Sequence, residues 1–359
     1  MRILSLLSYT GLASALVPAC LPQLGSEFCP SSQVLSDNND TLYEAFREDH
    51  PAVFPNSTNQ NEALEKLFPQ LNKTRLGKDL REITAPELFK NRYCMSQFGT
   101  WAQDWVLYKV QKIKFTALPL IVTLARNPTP QNSVVVRIPG LTSNAVVIGA
   151  HIDSINSKQS MTVLPGALTA PGADDNGSGS VVLLEVLRQF LLHVASVGAL
   201  QNEIQFHWYG AEEIGLVGSN RIFSSMRKDS FPLRAMLNLD MVGYPGGGFD
   251  KIGVQQNHVD KNLTAFMTTL VETYTTASTG NITCGYPCSD HASAHLYNYS
   301  SAMIGESAYI KGEPSHPNSN PFTHTENDTI ENNIDYDYMM EFAKVALAFV
   351  VELGGYNFE

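Results

Sequence analysis

The chain has 359 residues, 43% of them apolar and 16% charged, with a formal net charge of -11 and a sequence pI near 5.3. This is a globular composition, long enough for one large domain plus an accessory segment, with no signature of disorder. The acid excess, without clusters of Lys and Arg, argues against nucleic acid or an anionic membrane surface as a partner.

The chain opens MRILSLLSYTGLASALVPAC, with Arg2 ahead of an apolar stretch that closes on Ala13-Ser14-Ala15. That is the pattern of a secretory signal peptide over residues 1–15. No later segment supplies the ~18 uninterrupted apolar residues of a membrane span. Residues 16–80 differ in character from the rest of the chain. SSQVLSDNND and NSTNQNEALEKL are polar, and the helical pattern at Ala63, Leu64, Leu67 and Leu71 is short. In a secreted chain this reads as a removable pro-segment, leaving residues 81–359 as the main domain. N-x-S/T sequons at Asn39, Asn56, Asn72, Asn262, Asn281, Asn298 and Asn327 agree with export and mark candidate glycosylation sites. Asn176 matches too, inside a glycine-rich stretch where it is expected to be inaccessible. Of five cysteines, Cys284 and Cys288 stand four apart in CGYPC. They could close a tight disulfide loop in an oxidising compartment or serve as a zinc-ligand pair, although no second pair has matching spacing. Cys20 and Cys29 could pair, leaving Cys94 odd.

From about residue 100 strands and helices alternate. SVVVRIPG (133–140) and AVVIGAHID (145–153) read as buried strands, 178–194 as a helix, EIQFHWYGA (203–211) as a strand and LVGSNRIFSSM (216–226) as a helix. Strand RAMLNLDMVGY (234–244), helix LTAFMTTLVETYTTA (263–277) and strand SSAMIGES (300–307) come next. A last helix runs from about Ile334, with Tyr338, Phe342, Val345, Ala346 and Phe349 on one stripe. The alternation predicts an α/β fold: one globular domain with a mainly parallel mixed sheet covered by helices on both faces. Such sheets bind ligands at the carboxyl ends of their strands.

The acids and histidines gather at those ends. PGADDNGSGS (171–180) places Asp174 and Asp175 before an apolar helix, where acids that cap the first turn are the plainest reading of the stretch taken alone. His151 and Asp153 close one strand, two apart and on one face, so that Asp153 can fix one imidazole nitrogen and leave the other for a metal. Glu212-Glu213 closes another strand, and adjacent carboxylates can divide labour between a metal and proton transfer. Asp240 lies between Leu239 and Met241 in an apolar strand, where an ionised carboxylate needs a cation or hydrogen bonds. His324 sits in PFTHTENDTIEN, before the last helix. Nitrogen and oxygen ligands without thiolate suit zinc, and this set exceeds one tetrahedral site. Two metals sharing one of the acids at 174–175 would use all of it.

The motifs A-H-I-D-S, P-G-A-D-D-N-G-S-G, G-A-E-E-I-G-L-V-G-S, N-L-D-M, C-G-Y-P-C-S-D-H-A-S and T-H-T-E-N-D-T occur in that order over roughly residues 90 to 355. In this the chain resembles the secreted co-catalytic zinc aminopeptidases of the bacterial and fungal leucine aminopeptidase type. The resemblance implies that Asp175 bridges two Zn2+ ions, one held with Glu213 and His324, the other with His151 and Asp240. It implies Glu212 as general base, Asp153 as the partner that supports His151, and a Cys284–Cys288 disulfide with Tyr286 facing the substrate. Residues 16–80 match the family's pro-segment, and 81–359 its catalytic domain. The implied enzyme is a secreted, monomeric exopeptidase acting on peptides with a free N-terminus. Met241, Tyr286 and Met303 would form a pocket apolar enough for Leu-like side chains. Departures are Gly305, where bacterial relatives carry aromatics nearby, and the loop KGEPSHPNSNPF before His324. Glutaminyl cyclases of the same fold use one zinc and lack the equivalent of His151. Neither G-x-S-x-G nor H-E-x-x-H occurs, which removes serine-hydrolase and thermolysin-type chemistry.

Overall fold

The computed structural model describes residues 53–113, 120–160, 162–246, 251–306 and 320–358. The signal peptide, Asn39, Cys20, Cys29, residues 16–52 of the expected pro-segment and most of the KGEPSHPNSNPF loop lie outside them.

Among the described residues two short helices come first, α1 (Asn61–Leu67) and α2 (Lys73–Ile83), and then α3 (Gln97–Lys112). Strands β1 (Ile121–Ala125), β2 (Ser133–Ile138) and β3 (Ala145–His151) lead into α4 (Gly179–Val197). Then come β4 (Glu203–Tyr209), α5 (Val217–Lys228), β5 (Leu233–Leu239), β6 (Lys251–Gln255), α6 (Lys261–Tyr274) and β7 (Ser278–Ile282). The chain finishes with α7 (His291–Leu296), β8 (Ser301–Gly305), α8 (Ile330–Asn333) and α9 (Tyr336–Gly354).

The strands form one sheet in the order β1-β2-β4-β3-β5-β8-β6-β7. Its centre, β4-β3-β5-β8, is parallel, while the β1-β2, β2-β4 and β6-β8 pairings are antiparallel. The mixed, mainly parallel sheet expected from the sequence is therefore present. Period-two alternation splits it into two faces. Val134, Val136, Val146, Ile148, Leu237 and Leu239 point toward a core shared with α4, α6 and α9. Val135, Val147, Tyr209 and Met236 face the other way, with Phe223 of α5 and Ala294 of α7. Helix α4, long and apolar, is buried along nearly its whole length against α9 and the sheet.

The expected division near residue 80 falls inside α2. Phe54, Leu64, Leu67, Leu71, Leu76 and Leu80 belong to the same buried core as α4 and α9. Glu185, inside α4, accepts the Asn72 N–H at 2.9 Å and pairs with Arg75 at 2.5 Å. Glu352 of α9 accepts the N–H groups of Asn59 and Gln60, each at 3.0 Å. Residues 54–83 are structurally part of the main domain.

Candidate active site

Parallel strands end on the same side of the sheet, and that edge carries every predicted ligand. His151 is the last residue of β3, Asp240 directly follows β5, and Glu212-Glu213 lie just past β4. Asp175 sits in a buried turn, Ala173–Ser178, entered through Gly172 at φ 56° and leading into α4. A side chain at Gly172 would place its Cβ 2.5 Å from that of Ser154, so the entry admits glycine alone. Ala211, Met241 and His324 adopt left-handed backbone at φ 61°, 55° and 58°. Each is a candidate ligand or adjoins a candidate ligand or base, and strain of this kind clusters at functional sites.

The side chains converge from these elements. His151 Nε2 lies 3.2 Å from Asp175 Oδ1 and 3.3 Å from Asp240 Oδ1. His324 Nε2 lies 2.9 Å from Asp175 Oδ2 and 3.0 Å from Glu213 Oε2. Two three-residue groups result, His151-Asp175-Asp240 and Asp175-Glu213-His324, each with donor atoms within 4.8 Å of one another and sharing Asp175. His151 and Asp175 are buried, whereas the His324 side chain is 42% exposed, which leaves that group open on one side.

Asp153 reaches both His151 and the backbone past β4. Its carboxylate lies 3.7 Å from His151 Nδ1 and helps to raise the His151 pKa, while Nδ1 also faces the Asp153 backbone carbonyl at 3.2 Å. The two carboxylate oxygens in addition accept the N–H of Glu212 at 3.0 Å and of Glu213 at 3.1 Å. Those N–H groups lie past the end of β4 with no strand partner, and a buried acid satisfies both. His151 is still oriented for metal binding, since Nδ1 on a carbonyl leaves Nε2 as the free donor.

The electrostatics fit a cation. Burial works against a charged His151, yet Asp240 and Glu212 hold its pKa well above the usual histidine value. Glu213, beside Asp175, pushes His324 up to about 12. Burial opposes ionisation of Asp175, but both histidines outweigh it and keep that carboxyl below the usual carboxylate range. Burial, then Asp175, pushes Glu213 up to about 7. Glu213 Oε1 is buried with no hydrogen-bond partner among the described residues. Carboxylates packed this closely need positive charge between them, and imidazole with carboxylate is a donor set for zinc.

Glu212 is buried, and desolvation raises its pKa well above the ordinary carboxylate value. Its neighbours include fully buried Asp290, just before α7, whose charge further disfavours ionisation of Glu212. Cys284 and Cys288 form a disulfide, and Cys94 is a buried free thiol. Tyr286, on the disulfide loop, is exposed. Met303 is buried on β8 in register with Asn238, and Met241 directly follows Asp240. Gly305 closes β8 against the Asp240 carbonyl, where a Cβ would lie at 2.7 Å, so no side chain fits there. Sequence reading missed Arg92, a fully buried guanidinium donating to the carbonyls of Ile152, Pro171 and Gly172. It also missed Asp328, whose carboxylate contacts the Asp174–Asp175 turn.

The model of peptidase family M28 matches residues 133–350, a span that includes every candidate ligand. Among curated proteins, the chain is 39% identical over 317 residues to Leucine aminopeptidase 1 of Grosmannia clavigera, covering 86% of this chain and 74% of that relative. It is 40% identical over 314 residues to Leucine aminopeptidase 1 of Fusarium vanettenii, covering 85% and 76%. Among solved structures it is similar to the LapA aminopeptidase of Legionella pneumophila, with TM-score 0.73 and 26% identity over 84% of this chain and 76% of that one. LapB of the same organism aligns with TM-score 0.71 and 28% identity over 92% and 83%.

Proposed function

The chain belongs to peptidase family M28, and on that premise we propose that it is a secreted zinc aminopeptidase using two Zn2+ ions per chain. It releases N-terminal leucine and similar bulky apolar residues from peptides. The observation that carries this reading is the shared carboxylate: Asp175 turns one oxygen to each of two histidine-carboxylate groups. One ion is assigned to Asp175, Glu213 and His324, the other to Asp175, His151 and Asp240. All of these ligands come from one chain, so the site needs no partner subunit.

Zinc bound at such a pair supplies Lewis acidity toward the scissile carbonyl and makes a water there acidic enough to lose its proton near neutral pH. Glu212 is the residue that would hold the proton of the attacking water and pass it to the leaving amine, a role worth ~10²–10⁴-fold in rate. Asp153 fixes the Glu212–Glu213 backbone, so the proton-moving and metal-binding carboxylates stay in separate places. Met241, Tyr286 and Met303 are assigned to the apolar pocket for the substrate side chain.

The signal-like residues 1–15 and a disulfide support export to an oxidising compartment. Asn56, Asn72, Asn262, Asn281, Asn298 and Asn327 are exposed and open to glycosylation, whereas Asn176 is buried. We place the end of the removable pro-segment upstream of Phe54 rather than near residue 80. Cleavage near 80 would strip six core side chains and leave the carboxylate of Glu185 buried without Arg75.

The test is a panel of aminoacyl-nitroanilides with the purified secreted protein. Leucine and other bulky apolar residues are expected to turn over fastest, and N-acetyl-leucine nitroanilide not at all. Equal hydrolysis of the acetylated substrate would refute an aminopeptidase.

A further inference from the structure

Asp328 lies four residues beyond His324, is 1% exposed, and contacts no substrate-facing atom among the described residues. Its Oδ1 accepts the N–H of Asp174 at 2.9 Å and the side-chain amide of Asn333 at 2.5 Å. Its Oδ2 accepts the N–H of Asp175 at 3.0 Å. Its own carbonyl accepts the N–H of Ala173 at 3.0 Å. Three successive N–H groups of the turn that carries Asp175 therefore end on one residue. The segment between His324 and Asp328 is short and internally tied, with Asp328 N–H donating to the Thr325 carbonyl and Thr325 N–H to that of Phe322.

The pattern repeats what Asp153 does for Glu212 and Glu213. In both places two adjacent acids, one of them a candidate ligand, have their N–H groups held by a single buried carboxylate. Arg92 grips the other side of the same turn through the carbonyls of Pro171 and Gly172. The turn is thus held at its carbonyls by Arg92 and at its N–H groups by Asp328.

We propose that Asp328 is a positioning residue: it ties the Asp174–Asp175 turn to the His324 loop, and so sets the spacing of two ligands of one metal ion. This rests on the two-zinc reading of the site. Asparagine at 328 has the same size but offers one acceptor oxygen, and its amide would turn N–H against one of the two backbone donors. The ligand side chains themselves would be untouched.

The experiment compares full-length wild type with Asp328→Asn and Asn333→Ala, the latter removing one support of Asp328. Zinc affinity is measured by competition with a chromophoric chelator, well below each variant's melting temperature. Visible absorption of the cobalt-substituted proteins is recorded alongside. Asp328→Asn is expected to weaken zinc about 10–100-fold, as loss of ligand-supporting contacts does, and to shift the cobalt spectrum. Asn333→Ala should act in the same direction more weakly. A merely structural role would lower the melting temperature and leave affinity and spectrum as in wild type, and that result overturns the proposal. If Asp328→Asn does not fold, unchanged affinity in Asn333→Ala overturns it as well. Absence of zinc binding by wild type would instead remove the two-zinc reading, and this proposal with it.

Discussion

His151 and His324 face opposite oxygens of one carboxylate, that of Asp175, at 3.2 Å and 2.9 Å. A single acid therefore belongs to both ligand groups, and its loss should be felt at both. Asp175→Asn is expected to lose both zinc ions and to reduce kcat by at least the ~10²-fold typical of losing a catalytic group. His324→Ala, which touches one group, should retain one ion more tightly than the other. Metal content after dialysis against weak chelator distinguishes them; equal retention of zinc by Asp175→Asn and wild type would remove the bridge.

Glu212 and Glu213 are neighbours with different surroundings. Glu213 meets His324 at 3.0 Å, while Glu212 belongs to neither ligand group. Glu212→Gln should keep both metals and lose about 10²–10⁴-fold in kcat with little change in KM, because an amide cannot accept the proton. Glu213→Gln should weaken one zinc, with activity partly restored by added zinc. Zinc loss in Glu212→Gln and retention in Glu213→Gln would mean that the roles are exchanged.

The N-terminal helices should persist in the working enzyme. Leu80, buried in the core shared with α4 and α9, is expected to lower stability by about 2–5 kcal/mol when changed to Ala. N-terminal sequencing of the secreted protein should find a start upstream of Phe54. A fully active mature form beginning near residue 80 would contradict this.

The pH dependence of the metal-free protein has a definite sign. Burial pushes Glu213 up to about 7 and Asp328 up to about 8, so the folded chain keeps protons that the unfolded chain releases near pH 4. Their stabilisation is complete below that pH and is lost as pH rises through 7 and 8. His324, pushed up to about 12 by Glu213, adds a loss that begins near pH 6.5. His207 and His291, held down to about 3 by burial, act oppositely, but only below pH 6.5, where the unfolded chain protonates them. Between about pH 6.5 and 8.5 the chelator-stripped protein should therefore melt at progressively lower temperature. Zinc displaces the protons of Glu213 and His324, so the stabilisation it confers should grow over the same range. Thermal melts with excess chelator and with excess zinc check both slopes; a stripped protein that gains stability toward the alkaline end of that range would contradict the assignment.

The candidate ligands were legible in the sequence because strand ends are readable. His151, Asp240 and the Glu212–Glu213 pair each come after a strand pattern rich in apolar residues, and ligands of such sheets lie at those ends. The residues that hold the ligands were not legible. Asp328 and Arg92 act through backbone groups far away in sequence, and no local pattern marks a carboxylate that accepts two N–H groups. Asp153 was found by its spacing from His151, but that spacing gave no sign of its other contacts, the N–H groups of Glu212 and Glu213. Residues 54–83 read as separate from the main domain because their exposed faces are polar and carry sequons, while their contribution to the shared core is a sparse stripe of leucines. Edge strands β1 and β7 are short and mostly exposed or half-buried, and β6, one place in from the edge, has only five residues, which hides them from a pattern search that found β3 and β4.

Titration of the stripped protein with zinc, with bound metal and leucine-nitroanilide hydrolysis followed together, decides whether this is a two-zinc peptidase. Binding should saturate at two zinc ions per chain, activity should reach its maximum only as the second is bound, and a chelator should reverse both. Full activity with no bound metal, or saturation of binding and activity at one ion per chain, would contradict the two-zinc reading.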